Sequence, residues 1–250
     1  MSETIPKMVL PTEISLPSKV WGSQRFLTIS QAGVGKSTFW SNDPGAFFID
    51  TEGNLNHLGV KKLPCRSWED FRSIYGLLYE AAQTGKYPYT TLVIDTIDRL
   101  LSRAEEEVII QAKDKYPKAE IYTIGDVPKG NGWAKVTTLM DTALHAMDQL
   151  PSALVLISHP KSVQMDEPTG KYDKETICLW GQVGTKVLGF AQHTLQVQAM
   201  YAGDQLVRIV RSLPSKGLEA KSHGGIVPDR MEWKSRDLKA EFEVFRALFT

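Results

Sequence analysis

Short apolar runs recur along the chain and are separated by longer segments of mixed character. Four runs have the length and composition of strands: Arg25 to Ile29, Ala46 to Ile49, Thr91 to Ile94 and Ala153 to Ile157. Apolar strands that alternate with helices are typical of a parallel sheet covered on both faces. The pattern therefore predicts an α/β fold.

The segments between these runs have helical character. Glu69 and Asp70 follow Ser67, and acidic residues in a first turn suit the positive end of a helix. A looser region extends from Tyr116 to Gly132. The predicted helices are one from about Lys36, one from Ser67, one over Asp98 to Lys113, one ending near Leu150 and one from a Ser235 cap to Ala247.

The character of the chain changes after Pro160. Residues 161 to 182 are polar and contain turn signals, and two alternating strands follow, near His193 to Met200 and Gln205 to Val210. Residues 1 to 19 carry three prolines and little periodicity, which predicts an extended N-terminal arm. We therefore expect a core over residues 20 to 250, with a mostly parallel central sheet flanked by helices and antiparallel strands towards the C-terminus.

The composition restricts the functional classes. The 250 residues include 29 basic and 29 acidic side chains, so a nucleic-acid binder held by bulk charge is disfavoured. The two cysteines are far apart, and we expect free thiols that pack in a reducing compartment. Neither a signal-peptide core nor a membrane-spanning run is visible, which predicts a soluble, cytoplasmic protein.

The segment after the first strand carries the clearest chemistry. It reads SQAGVGKS, against the phosphate-loop consensus G-x-x-x-x-G-K-[ST]. The first glycine is replaced by Ser30, but that position closes the turn and does not contact phosphate closely. Lys36 can reach the β- and γ-phosphates and Ser37 can bind Mg²⁺. The predicted nucleotide-binding residues are Ser30, Gln31, Ala32, Gly33, Val34, Gly35, Lys36, Ser37 and Thr38.

Two carboxylates follow later strands of the predicted sheet. Asp95 ends the third apolar run and is the expected Mg²⁺ partner of Ser37. The residue after Asp95 is Thr96, so ATPases that place their catalytic base directly after this aspartate are disfavoured. The sequence also lacks the DxxG and NKxD motifs of GTPases. Glu52 lies just beyond the second run, near the edge where parallel strands bind ligands. We expect it to orient water, with a solvated loop glutamate as the alternative.

Several segments resemble RecA-type ATPases. FFIDTEGNL is similar to the part of that family that carries the catalytic glutamate, TLVIDTIDRL to its Walker B strand and ALVLISHPKS to the strand that ends in a γ-phosphate sensor. The resemblance covers about residues 22 to 230 and is greatest to reduced, phage-encoded RecA-like proteins. It implies ATP and Mg²⁺ as cofactors, with Glu52, Lys36 and His159 as catalytic residues. His159 takes the sensor position, and a strand-end histidine bonded to backbone is the alternative.

The same resemblance implies an oligomer, a ring or a filament, that acts on single-stranded DNA in recombination or annealing. A single-strand-binding protein is an expected partner, and the host cytoplasm is the expected location. Lys216 and Arg211 are candidate basic fingers for a neighbouring subunit, although a solvated hairpin edge is an equal alternative. The candidate DNA contacts are Lys161, Lys171, Tyr172, Lys174, Trp180 and Trp133.

Charge weakens the DNA interpretation. The four lysines between residues 161 and 186 are matched by four carboxylates, and each aromatic candidate could pack inside a folded loop. A RecA-like nucleotide switch or scaffold that works through a protein partner is therefore one alternative. A motor subunit that translocates on nucleic acid is another.

Overall fold

The computed structural model describes Thr12 and residues 18–168, 170–234 and 238–249. Most of the predicted N-terminal arm and the proposed Ser235 cap lie outside the described residues. Within them, a nine-stranded sheet is the centre of the fold, and a separate two-stranded hairpin projects from it. The strands are β1 (Arg25–Ile29), β2 (Ala46–Asp50), β3 (Lys61–Pro64), β4 (Thr91–Asp95), β5 (Ala153–Ser158), β6 (Pro160–Glu167), β7 (Gly170–Ile177), β8 (His193–Ala202), β9 (Gln205–Arg211), β10 (Lys221–Ser222) and β11 (Arg230–Trp233).

The sheet order is β11-β9-β8-β1-β5-β4-β2-β3, and β10 also pairs with β8. The strands from β8 to β3 in this order run parallel, whereas β9, β10 and β11 are antiparallel to their neighbours. This arrangement confirms the predicted α/β class, with a mostly parallel sheet and C-terminal antiparallel strands. β5 lies between β1 and β4 and runs parallel to both. The end of β1, which leads into the phosphate loop, and the end of β4, at Asp95, therefore lie at the same edge of the sheet.

The helices are α1 (Lys36–Trp40), α2 (Trp68–Gln83), α3 (Ile97–Lys115), α4 (Asn131–Asp148), α5 (Gly181–Phe190) and α6 (Lys239–Arg246). α2 begins where predicted because Ser67 and Asp70 form a reciprocal capping box, with the Asp70 N–H donating to Ser67 Oγ at 3.0 Å. Among the described residues, no helix combines the length and apolarity needed to cross a membrane.

The two faces of the sheet bury different cores. Aliphatic residues of β2, β4 and β5 pack against α2, α3, α4 and α5 on one face. On the other face, aromatic side chains of α1 and α6 pack around Trp21 and Phe26. Arg246 fixes α6 to the body of the domain, because its guanidinium lies 2.8 Å from the buried Asp43 carboxylate and 4.1 Å from the centre of the Trp21 ring.

Some elements differ from the predictions. β2, β4 and β5 each extend one residue further than predicted, to the polar residues Asp50, Asp95 and Ser158. The polar stretch after Pro160 forms the β6–β7 hairpin, whose last strand pair is Glu167 with Gly170. Trp133, which the resemblance to RecA-type ATPases places at a DNA-binding loop, lies in the first turn of α4. The expectation that both cysteines pack is wrong for Cys178, which is exposed, whereas Cys65 is buried.

Candidate nucleotide-hydrolysis site

The phosphate loop connects β1 to α1 at the carboxyl edge of the sheet. Gly33 and Gly35 have φ angles of 77° and 99°, in the left-handed region that side chains disfavour. A Cβ atom at Gly33 would meet nothing within 4 Å, so there the backbone conformation, not the space, requires glycine. The two glycines turn the backbone so that it can wrap around a phosphate group.

Lys36 lies over this loop. Its ammonium donates hydrogen bonds to the Ser30 carbonyl at 2.7 Å and to the Gln31 carbonyl at 3.0 Å. Burial lowers the pKa of Lys36, and the nearby carboxylates of Asp95, Asp98 and Glu52 act in the opposite direction. A cation in this position can bind phosphate oxygens, which supports the predicted role.

Ser37 and Asp95 are in direct contact, as predicted. Ser37 Oγ donates to Asp95 Oδ2 at 2.5 Å. Burial raises the pKa of Asp95 to about 6, and the bond from Ser37 opposes that effect. A hydroxyl and a carboxylate are hard oxygen ligands of the kind that Mg²⁺ prefers, with substrate phosphates and water completing its shell. The described residues contain no cluster of three or more His, Cys, Asp or Glu side chains that could hold a metal alone. The pair therefore fits a magnesium ion that arrives with nucleotide.

Glu52 lines the same cavity. Its Oε1 accepts a hydrogen bond from Thr96 Oγ1 at 3.1 Å, and its Oε2 accepts one from Asn54 Nδ2 at 3.2 Å. The Thr51 hydroxyl joins the neighbouring strand ends, since it accepts from the Thr96 N–H at 2.6 Å. The carboxylate is therefore held in place at the cavity wall, with 19% of its side chain exposed.

His159 directly follows β5 and also lines the cavity. Its Nδ1 lies 3.0 Å from Asp98 Oδ2 and 3.7 Å from Glu52 Oε1. The hydrogen bond to Asp98 raises the pKa of His159, whereas burial and Lys36 lower it. The side chain of His159 therefore contacts a carboxylate, whereas the alternative interpretation expected a hydrogen bond to backbone.

The cavity has a volume of about 260 Å³ and brings most of the predicted residues together, whereas Ser30, Gln31 and Val34 of the loop do not line it. It is lined by Ala32, Gly33, Gly35, Lys36, Ser37, Thr38, Asp50, Glu52, Asn54, Leu55, His57, Asp95, Thr96 and His159. The side chains of Asp50, Asn54, Leu55, His57 and Thr96 were not predicted as site residues. Asn54, Leu55 and His57 follow Glu52 closely, and their nearness in sequence was the only signal.

Arg208 is a further residue that the sequence did not indicate for this site. It lies on β9, and its Nε donates to the Val34 carbonyl of the phosphate loop at 2.6 Å. A Cβ atom at Gly35 would lie 3.3 Å from the same nitrogen, so the guanidinium packs directly against the loop. In the sequence, Arg208 appears only as part of a basic segment. Its contact with the loop depends on the pairing of β9 next to β8 and β1.

The predicted basic fingers lie outside this cavity. Lys216 forms an ion pair with Glu167 and lies 5.2 Å from the centre of the Tyr172 ring. Arg211 ends β9, and its buried Nε has no hydrogen-bond partner among the described residues. A finger for a neighbouring subunit need not reach its own site, so both assignments stay predictions.

The candidate DNA contacts form two groups. The lysines have partners within the chain: Lys161 donates to the Leu179 carbonyl, Lys171 pairs with Asp166 at 3.5 Å and Lys174 pairs with Glu219 at 2.6 Å. Trp133 and Trp180 lie edge to face, with ring centres 4.6 Å apart, and Trp133 is exposed. Trp180 also donates to Glu105 at 2.5 Å.

A phosphate loop beside a Ser37–Asp95 pair, on a mostly parallel sheet, defines a P-loop ATPase. A family model described as an AAA domain matches residues 23–223, and the chain belongs to that family. Among solved structures, it is similar to a KaiC-like protein from the hyperthermophilic archaeon Pyrococcus horikoshii. The two share 13% identity with a TM-score of 0.44, over 76% of this chain and 77% of that one. No curated protein matches the sequence significantly.

Proposed function

We propose that this chain hydrolyses ATP with Mg²⁺ and uses the cycle to bind and release single-stranded DNA during recombination or annealing. It would do so as an oligomeric, RecA-like protein of the kind that phages encode, in the cytoplasm of the host. The observation that carries the proposal is the position of His159, which lines the nucleotide cavity and directly precedes the β6–β7 hairpin.

The residues of the cavity support hydrolysis. The loop amides and Lys36 would bind the phosphates, and Ser37 and Asp95 would hold the magnesium that comes with them, which would supply neutralisation of phosphate charge. Glu52 accepts the proton of a water molecule whose oxygen attacks the γ-phosphorus. A P–O bond forms, the bond to the bridging oxygen breaks, and ADP and inorganic phosphate leave.

The hairpin is joined to this site at its base. The Cys178 N–H, just beyond β7, donates to the His159 carbonyl at 2.9 Å and to Ser158 Oγ at 3.3 Å. Further along β7, Glu175 accepts from Gln196 of β8 at 2.7 Å. A movement of His159 when the γ-phosphate binds or leaves would therefore act on the base of the hairpin.

The DNA contact would depend on stacking more than on charge. Trp133 presents an exposed indole supported by Trp180, and a base can stack on such a surface without sequence preference. Lys171 and Lys174 of the hairpin pair with carboxylates, and Lys161 donates to a backbone carbonyl, so one subunit supplies little electrostatic attraction. Repeated contacts along an oligomer would supply the remaining affinity. Lys216 and Arg211 are the candidate basic fingers that a subunit would donate to the nucleotide site of its neighbour.

A nucleotide switch with a protein partner is the second candidate. The neutral net charge and the paired hairpin lysines favour it. A motor subunit would share the same nucleotide site but would displace strands in one direction.

The test is the ATPase rate with and without single-stranded DNA at two salt concentrations. We expect clear stimulation that weakens as salt rises. Lys36→Ala should abolish ATP binding and turnover, and Trp133→Ala should reduce stimulation but keep the basal rate. Two results together would overturn this proposal in favour of the protein-partner switch. The wild-type rate would not change with DNA, and the protein would not bind DNA in the presence of a non-hydrolysable ATP analogue.

A further inference from the structure

We propose that Asp98 is a positioning residue that fixes the His159 ring through Nδ1, so that Nε2 becomes the cationic donor facing the γ-phosphate. This inference rests on the proposed function and adds a residue to it. Asp98 lies in the first turn of α3, three residues after Asp95, and its side chain is largely buried.

Both oxygens of the Asp98 carboxylate are used at the end of β5. Oδ1 accepts from Ser158 Oγ at 2.5 Å, and Oδ2 accepts from the His159 N–H at 2.8 Å. Oδ2 also lies 3.0 Å from His159 Nδ1. Since an ionised carboxylate only accepts hydrogen bonds, Nδ1 carries the proton of this contact. The same carboxylate therefore holds His159 at two points, at its backbone N–H and at Nδ1 of its ring.

With Nδ1 occupied, Nε2 is the ring nitrogen left for a ligand. The described part of the chain contains no hydrogen-bond partner for Nε2, and His159 lines the nucleotide cavity. The charged groups around the ring are Asp98 from α3, Glu52 from the loop after β2 and Lys36 from α1. The two carboxylates favour the imidazolium, and Lys36 opposes it.

The imidazolium form matters because its Nε2 carries a proton. A charged N–H donor to phosphate forms a shorter and stronger hydrogen bond than a neutral one. Asp98 raises the pKa of His159 by its hydrogen bond, so it keeps this donor charged at higher pH than an isolated histidine would. Carboxylates that orient a functional histidine act in the same way at metal sites.

Asp98 also joins the ring to the hairpin. Ser158 Oγ donates to Asp98 and accepts from the Cys178 N–H at 3.3 Å. The carboxylate that orients His159 therefore holds the hydroxyl that anchors the end of the hairpin. Displacement of His159 by the γ-phosphate would be transmitted through Asp98 and Ser158.

The test compares Asp98→Asn, His159→Gln and the double variant. Asparagine keeps the size of Asp98 but removes its charge, and glutamine supplies a donor that does not titrate. We expect Asp98→Asn to lower kcat roughly 10- to 100-fold, as replacement of the carboxylate partner of a metal-binding histidine does. ATP affinity should change little, and the alkaline limb of the rate profile should move to lower pH. In the His159→Gln background, Asp98→Asn should have no further effect.

Glu106→Gln is the matched control, since Glu106 lies on the exposed side of the same helix and pairs with Arg103. It should keep the wild-type rate and pH profile. The inference would be overturned if Asp98→Asn left kcat and the pH profile unchanged. It would also be overturned if the losses of kcat in the two single variants multiplied in the double variant, because Asp98 would then not act through His159.

A second measurement does not depend on the variants folding or on the DNA proposal. Nitrogen-15 NMR of the wild-type imidazole rings should show His159 with its proton on Nδ1 when neutral and a raised pKa. A neutral ring that carries its proton on Nε2 would overturn the inference even if the ATPase is active. An inactive wild-type protein with the expected NMR signals would contradict the proposed function and leave the Asp98 contact confirmed.

Discussion

Replacing Glu52 by glutamine separates the binding of ATP from its hydrolysis. Glutamine keeps the size of the side chain, and its carbonyl oxygen can still accept the hydrogen bond from Thr96 Oγ1 that the structure places at 3.1 Å. The substitution therefore keeps the contact with Thr96 and removes the charge and the basicity of the carboxylate, together with the acceptor for Asn54 Nδ2 at the exposed side of the group.

The expected cost follows from that role. Loss of a general base lowers the rate by about 10²- to 10⁴-fold, which corresponds to about 2.7 to 5.4 kcal/mol of barrier height. ATP affinity should stay the same or rise slightly, because Lys36 does not bond to Glu52 among the described contacts and one negative charge near the phosphates is removed. Phosphate release measures kcat, and titration with a fluorescent ATP analogue measures Kd.

Glu69→Gln is a suitable control because Glu69 lies on the exposed first turn of α2, away from the cavity. It should retain the wild-type rate. A Glu52→Gln protein that turns over ATP at close to the wild-type rate would refute the assignment, and another group would have to accept the proton. A large loss of ATP affinity would instead show that the carboxylate holds the site together.

Three further predictions concern binding and stability. Arg208→Met removes the donor to the Val34 carbonyl and should weaken ATP binding about tenfold by calorimetry, since a charged hydrogen bond contributes about 1.5 to 3 kcal/mol; equal affinities would contradict the contact. Burial lowers the pKa of His193 from 6.5 to about 4. Between these two pH values the unfolded state binds more protons than the folded state. The free energy of unfolding should therefore fall by on the order of 3 kcal/mol as pH drops from 6.5 to 4. Urea unfolding at several pH values should show this term in the wild type and not in His193→Gln. Arg246→Met leaves buried Asp43 without its cation and should cost about 1 to 3 kcal/mol by thermal unfolding, a range reduced because Arg246 is one-third exposed; an unchanged Tm would show that α6 is held by its aromatic contacts alone.

The parallel strands could be predicted because they are buried on both faces. A run such as Leu92 to Ile94 is apolar at every position, which few other structures require. β3 lacks this signal because it lies at the sheet edge, is partly exposed and ends in proline. α5 was missed for a different reason: Gly181, Gly184 and Gly189 weaken its helical pattern, and tertiary packing of buried Val183 and Val187 stabilises it.

The site was predictable where it depends on nearby residues. The phosphate loop and Asp95 follow directly from motif and strand, and Glu52 from the rule that ligands lie beyond strand ends. In the sequence, Asp98 marks only the start of a predicted helix, because its contact with His159 spans 61 positions. Arg208 meets Val34 across 174 positions through the order of strands in the sheet. Pairings of that kind need the fold itself.

The most direct test of the account uses Glu52→Gln protein, which should bind ATP without consuming it. Its affinity for a fluorescent single-stranded oligonucleotide would be measured with ATP, with ADP and without nucleotide. We predict tight binding with ATP and weak binding in the other two states, because in the proposed cycle the γ-phosphate acts on the hairpin through His159. Equal affinity in all three states would contradict the coupling between nucleotide and DNA, and no binding in any state would contradict the DNA function itself.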